Sequence, residues 1–431
     1  MFLPRSTFQL TFVCLTLFSS LLWISSYHVG SGSNSPTFLS GHRAPTPPPC
    51  SVHANVVVDE PAHDPIWDVQ NRTLGFQKIF AISMPHRTDK RDYLALMGHI
   101  SELDIEFIDG VNGSLIHPHA IPSNWYGDNG PGTYGCWRAH LDIYQRMLQE
   151  GIQSALVLED DADWDILFKA QMTEFARGTR HITNATLPMH SPYGDDWDLL
   201  TIGHTGVDNN PGLDQTYWVT KNDPTVIAEK RRTWGRKPDL SAPTLGGDHT
   251  RVVHGARKLT GTASYAISLR GASRVLYDQA MLMNAQAIDT ALSNMCRLGK
   301  WGPNFCIGAY PMIVGRYRAA GPRDKDSDRR AETNTEQGHS LPQSKAERFE
   351  PESEFTVFPV SLNIERLMRN ELIIPANAPE SDLVDKINLH DFVLPRGGPV
   401  FVRQNEYASK EKSPPATPGK RVGRSLGHSN S

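Results

Sequence analysis

A run of acidic residues follows an apolar segment near the middle of the chain. The segment ALVL leads directly into Glu159, Asp160 and Asp161, and then Asp163 and Asp165. In open α/β sheets, ligands bind at the carboxyl ends of strands. Clustered carboxylates repel one another unless a cation neutralises them, so the run favours Mg²⁺ or Mn²⁺ with coordination positions left for a diphosphate. The alternative is a solvated acidic turn that caps the next helix.

The elements that must position this run form an alternating pattern. Short apolar runs predict strands at 78–82, 105–108, 155–158, 198–202 and 264–268. A charged, helix-like stretch follows the first strand, and periodic segments predict helices at 137–150, 166–177 and 272–277, the first of them stopped by Gly151. Strands that alternate with helices imply an α/β fold with a mostly parallel central sheet.

Several segments resemble glycosyltransferase family 25, the lipopolysaccharide-type and collagen-type β-galactosyltransferases. In family order, they are KIFAISMPHRTDKR (78–91), FIDGVNG (107–113), GCWRAH (135–140), GIQSALVLEDDADW (151–164), WDLLTIG (197–203), GTASYAISLRGA (261–272), AID (287–289) and Tyr310-Pro311. The resemblance covers about residues 76–318, with an insertion near 206–255. It implies a GT-A-like nucleotide-sugar-binding fold and lumenal glycan synthesis.

The same resemblance implies roles for the acidic run. Asp160 and Asp161 would bind Mn²⁺ or Mg²⁺, and Glu159 would flank the donor site. The donor would be a nucleotide sugar, in this family a UDP-hexose. A metal there neutralises charge on the departing nucleoside diphosphate.

The resemblance also implies transfer with inversion, which needs one base to take the proton of the acceptor hydroxyl. Asp289 is the candidate, because it follows an apolar pair and opens a predicted helix; an N-cap is the alternative. Arg87 and Arg91 follow the first strand, and guanidinium groups suit phosphate contacts, although a solvated helix face has the same composition.

Two positions depart from the family pattern. Ser83-Met84 replaces the usual Asn-Leu after the first strand, which removes an amide from the expected nucleotide contact. Ala139 precedes His140 where the family often has serine, and the helical period favours His140 as a core residue. Donor and acceptor choice is therefore expected to differ from the family norm.

Composition excludes several other classes of protein. The chain has 431 residues, a formal net charge of −4, 39% hydrophobic and 21% charged residues, which indicates a folded globular body. The near-neutral charge lacks the basic character of a nucleic-acid binder. Five cysteines are too few for a disulfide scaffold, and no C-x-x-C pair indicates a zinc site.

The N-terminal segment indicates the compartment. Residues 8–27 contain no charge and match the length of a membrane-spanning helix, with Arg5 before them. We expect a retained signal-anchor and a lumenal body in the Golgi or endoplasmic reticulum; a cleaved signal peptide is the alternative. Sequons at Asn71, Asn112 and Asn184 support a lumenal body.

Four cysteines follow the membrane segment, at Cys50, Cys136, Cys296 and Cys306. Four cysteines allow three pairings. A bond between Cys296 and Cys306 closes the shortest loop and is favoured.

The predicted organisation follows from these features. It comprises a cytosolic N-terminus (1–7), the membrane helix (8–27), a Pro/Ser/Gly-rich disordered stem (28–70), the catalytic domain (71–320), a mobile charged loop (321–354), a C-terminal extension of the catalytic body (355–404) and a disordered basic tail (405–431).

The function expected from all of this is metal-dependent, inverting transfer of a hexose, with galactose from UDP-galactose favoured, to a hydroxyl of a glycan or glycoprotein. The alternative is a catalytically impaired accessory protein of the same fold that binds nucleotide sugar or glycan. A metal-dependent phosphate-ester hydrolase is a third class, although no convincing metal-binding histidine set accompanies the carboxylates.

Overall fold

A computed structural model describes residues 64–127, 130–232, 235–282, 284–330 and 347–407. No helix within these ranges is both long and apolar enough to span a bilayer. The predicted membrane segment, nearly all of the predicted stem and most of the predicted tail lie outside the described residues, as does Cys50.

The strands are, in chain order, β1 (Lys78–Ser83), β2 (Ile105–Asp109), β3 (Ser154–Glu159), β4 (Ala162–Trp164), β5 (Leu199–Gly203), β6 (Gly206–Asp208), β7 (Gln215–Thr220), β8 (Arg251–Gly255), β9 (Lys258–Thr260), β10 (Ser264–Ser268), β11 (Cys306–Tyr310), β12 (Val314–Arg318), β13 (Glu352–Glu354), β14 (Ile373–Pro375), β15 (Lys386–Asn388) and β16 (Gly398–Val402). The α-helices are α1 (Thr88–Ile100), α2 (Pro131–Glu150), α3 (Phe168–Ile182), α4 (Leu269–Leu276), α5 (Ile288–Leu298) and α6 (Val360–Met368).

Nine strands form the central sheet, in the order β16-β7-β8-β11-β5-β10-β3-β1-β2. Neighbours β2, β1 and β3 are parallel, as are β5 and β11. All other neighbours are antiparallel, including β10, which lies between β3 and β5. The α/β class is confirmed, but the prediction of a mostly parallel sheet is corrected to a mixed one. A parallel neighbour needs a long crossover connection, usually a helix. Strand β10 is preceded by a short connection without a helix, so it can run antiparallel to its neighbours.

Each face of the sheet is covered by helices. Helix α2 places Trp137, Leu141 and Tyr144 in a core on one face, together with residues of α4 and α5. Helices α1 and α3 cover the other face, with Leu94 and Phe175 buried there. Helix α2 is longer than predicted and ends where expected, because Gly151 adopts the left-handed conformation with φ 68°.

Two features extend this body. The segment predicted as an insertion, 206–255, contributes β7 and β8 to the central sheet, and β16 from the C-terminal extension pairs with β7 at the edge. A disulfide joins Cys296 of α5 to Cys306 of β11, with 5.6 Å between their Cα atoms, so the favoured pairing is confirmed. Cys136 is a free thiol.

The parallel strands β1, β2 and β3 end at one edge of the sheet. Their register pairs Ile82 with Glu159 and Ser83 with Asp109. This edge is where an α/β sheet presents side chains to ligands, and it is where the acidic run begins.

Candidate functional site

The first three acidic residues form a turn that is held on both sides. Glu159 ends β3, and Asp160 and Asp161 connect it to β4. Strand β12 pairs with β4, and the backbone N–H of Tyr317 donates to the carbonyl oxygen of Asp161 at 2.7 Å. The turn is therefore fixed between the central sheet and a second, smaller sheet.

Each of these three side chains has its own partner. Lys90 Nζ lies 2.6 Å from Asp160 Oδ1, and Arg318 Nη1 lies 2.6 Å from Asp161 Oδ2. Thr262 Oγ1 donates to Glu159 Oε1 at 2.6 Å. Lys90 and Arg318 have side chains only 10% exposed, so both ion pairs are largely shielded from solvent. Protein cations thus balance part of the negative charge.

Burial dominates the electrostatics of the turn. It raises the pKa of Glu159 to about 7, with the negative charge of Asp161 adding to the effect. Burial also raises the pKa of Asp160, although the adjacent Lys90 opposes this. The site therefore favours additional positive charge close to these carboxylates.

One oxygen of the turn fits a role as a cation ligand. Asp161 Oδ1 is buried and makes no hydrogen bond, although its partner oxygen is paired with Arg318. Within the described ranges, no three His, Cys, Asp or Glu side chains converge as a ready-made metal site. Mg²⁺-type sites often use one or two carboxylates and take their remaining ligands from phosphate and water. The residues present fit a cation of that kind.

Asp289 lies close to the same turn. It is the second residue of α5, and the N-cap is Ala287, so the alternative that Asp289 is the N-cap is wrong. Gly261 N–H lies 3.4 Å from Asp289 Oδ2, and the neighbouring Thr262 bonds Glu159. Gly261 adopts φ 77°, a conformation that suits glycine, and so its amide can point toward α5. The structure brings the proposed base and the acidic turn to one two-residue loop.

The two predicted arginines have different surroundings. Arg87 pairs with Asp89 and with Asp328, both through its guanidinium. Arg91 donates to the carbonyl oxygen of Ser83 and to Asp109, at the ends of β1 and β2. Arg87 is thus linked to the acidic turn through Asp328 and Lys90, whereas Arg91 lies at the ends of β1 and β2.

Sequence reasoning missed Lys90, Arg318 and Asp328. Lys90 lies in the quoted segment KIFAISMPHRTDKR, three residues after Arg87, which is the N-cap of α1, and that spacing was an available signal. Arg318 ends β12, and Asp328 follows in a region predicted as a mobile loop. Neither had a local signal, because both reach the site through the fold.

Two of the positions that depart from the family pattern, Ser83 and Ala139, are buried. The Ser83 hydroxyl is buried and makes no hydrogen bond. His140 is buried, its Nδ1 lies 2.8 Å from the hydroxyl of Tyr265, and burial lowers its pKa to about 3. His140 is therefore a neutral core residue, as its helical position predicted.

The remaining two acids of the run face the interior. Asp163 accepts hydrogen bonds from Ser353 and Ser361, and Asp165 accepts from the backbone N–H groups of Leu167 and Phe358. Burial raises the pKa of Asp163 to about 6 and that of Asp165 to about 7. Both carboxylates join the C-terminal extension to the body.

Parts of this chain are similar to known proteins. Residues 76–188 match the model of glycosyltransferase family 25 (LPS biosynthesis protein). Procollagen galactosyltransferase 1 of Danio rerio is 25% identical over 219 residues, which cover 48% of this chain and 29% of the relative. Procollagen galactosyltransferase 2 of Mus musculus is 22% identical over 243 residues, which cover 52% of this chain and 32% of the relative.

A third relative is named as an inactive member of the family. The inactive glycosyltransferase 25 family member 3 of Homo sapiens is 23% identical over 169 residues, which cover 34% of this chain and 27% of the relative. The chain thus matches about a third or less of the length of these relatives. Residues 76–188 are therefore similar to glycosyltransferase family 25, as the resemblance of the motifs predicted.

Proposed function

We propose that the chain is a metal-dependent, inverting glycosyltransferase that transfers a hexose, galactose from UDP-galactose, to a hydroxyl of a glycan or glycoprotein. The observation that carries this proposal is the acidic turn at the end of β3, where Asp161 Oδ1 is buried without a hydrogen bond. A strand end lined by carboxylates and shielded cations suits a ligand with both a divalent cation and phosphates.

Different residues are assigned to the cation, the phosphates and the nucleoside of the donor. Asp160 and Asp161 would hold the cation, Mn²⁺ or Mg²⁺, which supplies positive charge to the diphosphate when it is bound. Arg87 and Lys90 would bind the phosphates, because Lys90 contacts Asp160 of the acidic turn and Arg87 shares Asp328 with Lys90. Arg91 contacts Ser83 at the end of β1 and Asp109 at the end of β2, and it is assigned to the nucleoside side of the donor. Glu159 flanks the pocket and is oriented by Thr262.

Asp289 is assigned as the base. The acceptor oxygen attacks the anomeric carbon from the side opposite the diphosphate, and the bond from that carbon to the diphosphate oxygen breaks. The Asp289 carboxylate takes the proton of the acceptor hydroxyl. Its contact with Gly261 N–H orients the carboxylate toward the loop that also holds Glu159.

The direct test is transfer by the purified full chain in detergent. UDP-galactose, other UDP-hexoses and a panel of glycan and glycoprotein acceptors would be offered with Mn²⁺ and with EDTA. We expect Mn²⁺-dependent release of UDP and a product heavier by one hexose. Absence of transfer from every donor, or full activity in Asp161→Ala, would contradict the proposal.

The second candidate is an accessory protein that binds nucleotide sugar or glycan without turnover. The unbonded Ser83 hydroxyl, at a position where the family has an amide, favours it. Calorimetry separates the two: binding of UDP-galactose without transfer to any acceptor supports the accessory protein.

We further propose a single-pass type II protein of the Golgi or endoplasmic reticulum membrane, anchored by residues 8–27. The sequon residues Asn71, Asn112 and Asn184 are all exposed, and the Cys296–Cys306 disulfide suits an oxidising lumen. Expression in animal cells is expected to give a membrane-bound protein whose mass falls after glycosidase treatment. A carbonate-extractable protein without glycans would contradict the proposal.

A further inference from the structure

A short segment after β12 lies against the proposed phosphate site; we call residues 325–329 the strap. Its base is fixed, because Gly321 and Arg348 exchange backbone hydrogen bonds of 2.7 and 2.9 Å. The Arg348 guanidinium also binds both carboxylate oxygens of Asp326, at 3.1 and 3.0 Å. The strap therefore starts from a defined position beside the acidic turn.

The strap contacts the two cations assigned to the phosphates. Both carboxylate oxygens of Asp328 lie on Arg87 Nη1, at 2.9 and 2.7 Å, and one of them lies 3.7 Å from Lys90 Nζ. Arg87 Nη2 donates to the carbonyl oxygen of Lys325 at 2.9 Å, and Lys90 Nζ lies 3.4 Å from the carbonyl oxygen of Asp326. The strap thus supplies three anionic or carbonyl partners to one pair of cations.

The far end of the strap is held by α2. Arg329 Nε donates to Thr133 Oγ1 at 3.2 Å. The backbone of Arg329 passes directly over Gly132, where an added Cβ would lie 2.1 Å from the Arg329 carbonyl oxygen. Only a residue without a side chain lets the strap pass this close.

The chemistry of these contacts resembles that of a bound phosphate. Arg87 and Lys90 have side chains only 11% and 10% exposed, so they need an anion nearby to offset lost hydration. A carboxylate on a guanidinium and an ammonium uses the same donors as a phosphate oxygen pair. Asp328 itself is 30% exposed and lies in a single short helical turn, so few other contacts retain it.

We propose that the strap is an intramolecular competitor of the donor: Asp328 occupies Arg87 and Lys90 in the free protein, and the nucleoside diphosphate displaces it. This inference rests on the proposed function, because it assumes that these two cations bind the donor's phosphates. It adds an autoinhibitory contact, in which donor affinity is set partly by the ion pairs of the strap.

The test is calorimetric titration of UDP with Mn²⁺ into the full chain and three variants. Asp328→Asn removes the competing charge and is expected to bind UDP about fivefold more tightly, the size of one partly exposed ion pair. Gly132→Ala pushes the strap away without changing any charge and is expected to give a gain in the same direction. Asp89→Asn is the matched control: it removes the other carboxylate from Arg87 and is expected to change the Kd less than twofold.

Each outcome decides between the two proposals. If wild type binds UDP and Asp328→Asn binds it no more tightly, the strap proposal is wrong while the proposed function stands. Equal gains in Asp328→Asn and Asp89→Asn also overturn it, since the effect would then be one of general charge. If neither wild type nor Asp328→Asn binds UDP, the proposed function is itself overturned. Thermal unfolding checks that Gly132→Ala folds. If that variant is unfolded, the Kd of Asp328→Asn alone tests the strap proposal.

Discussion

Two halves of one acidic run have opposite surroundings. Glu159, Asp160 and Asp161 lie at the end of β3 and contact a hydroxyl and two cationic side chains. Asp163 and Asp165 lie two and four residues after Asp161, buried among backbone N–H groups and serine hydroxyls. The first half keeps a spare buried oxygen on Asp161, whereas hydrogen bonds engage both oxygens of Asp163 and of Asp165.

The difference shows what separates a ligand site from a structural anchor. A carboxylate whose acceptor capacity is already used by the fold can stabilise an interface but has little left to offer a ligand. A carboxylate that has ionic partners and a free oxygen can exchange those partners for a cation or for substrate. Residue type alone does not distinguish the two, because both halves consist of acids.

The largest expected effect is on catalysis. It concerns Asp289, which the Gly261–Thr262 loop connects to the ligand half of the run. Asp289→Asn keeps the shape of the side chain but removes the base, and we expect kcat to fall by about 100-fold or more. The Kd for UDP-Mn²⁺ should change less than about twofold, because the loss is confined to proton transfer. Steady-state kinetics with calorimetry measure both, and a variant that retains wild-type kcat would remove Asp289 from the mechanism.

The structural half is expected to show its effect in stability. Asp165→Ala leaves the N–H groups of Leu167 and Phe358 without their acceptor, and we expect a loss of about 3 kcal/mol in the free energy of unfolding. Asp161→Asn is the comparison variant in the ligand half. It retains an acceptor for Arg318, which also pairs with Glu354, so we expect a smaller loss of about 1 kcal/mol. Urea unfolding measures the free energy of unfolding of both variants. Equal losses would contradict the distinction between a structural half and a ligand half of the run.

The smallest expected effect concerns pH and Glu159. Its folded pKa is raised to about 7 from an ordinary 4.5, so its contribution to stability is full below about pH 4.5 and is lost as the pH rises through 7. Glu159→Gln has no such loss. In EDTA, the variant should therefore gain at least about 1 kcal/mol relative to wild type between pH 4.5 and 8. Unfolding free energies that stay parallel across this range would show that burial does not perturb Glu159.

The fold was predictable where local patterns determine it. Apolar runs located β1, β2, β3, β5 and β10, and glycine located the end of α2, because burial and backbone conformation act within a few residues. The direction of β10 was not predictable, since it depends on which neighbours the strand joins. The antiparallel entry between β3 and β5 is a property of the assembled sheet.

The site was predictable only in part for the same reason. A strand followed by carboxylates indicated a ligand edge, but Lys90 and Arg318 lie 70 and 157 residues from their partners in sequence. The role of Asp163 depends on Ser353 and Ser361, which lie 190 and 198 residues away. No local signal could therefore show that the run divides between Asp161 and Asp163.

Binding of UDP-Mn²⁺ by wild type, Asp161→Asn and Asp163→Asn tests the central claim most directly. Calorimetry of the three full-length proteins, each below its unfolding temperature, should give a wild-type Kd that Asp161→Asn weakens by more than about tenfold. Asp163→Asn should lower the unfolding temperature and leave the Kd within about twofold of wild type. Equal affinity in wild type and Asp161→Asn, or a larger loss of affinity in Asp163→Asn, would contradict the assignment of the first half of the run to the ligand.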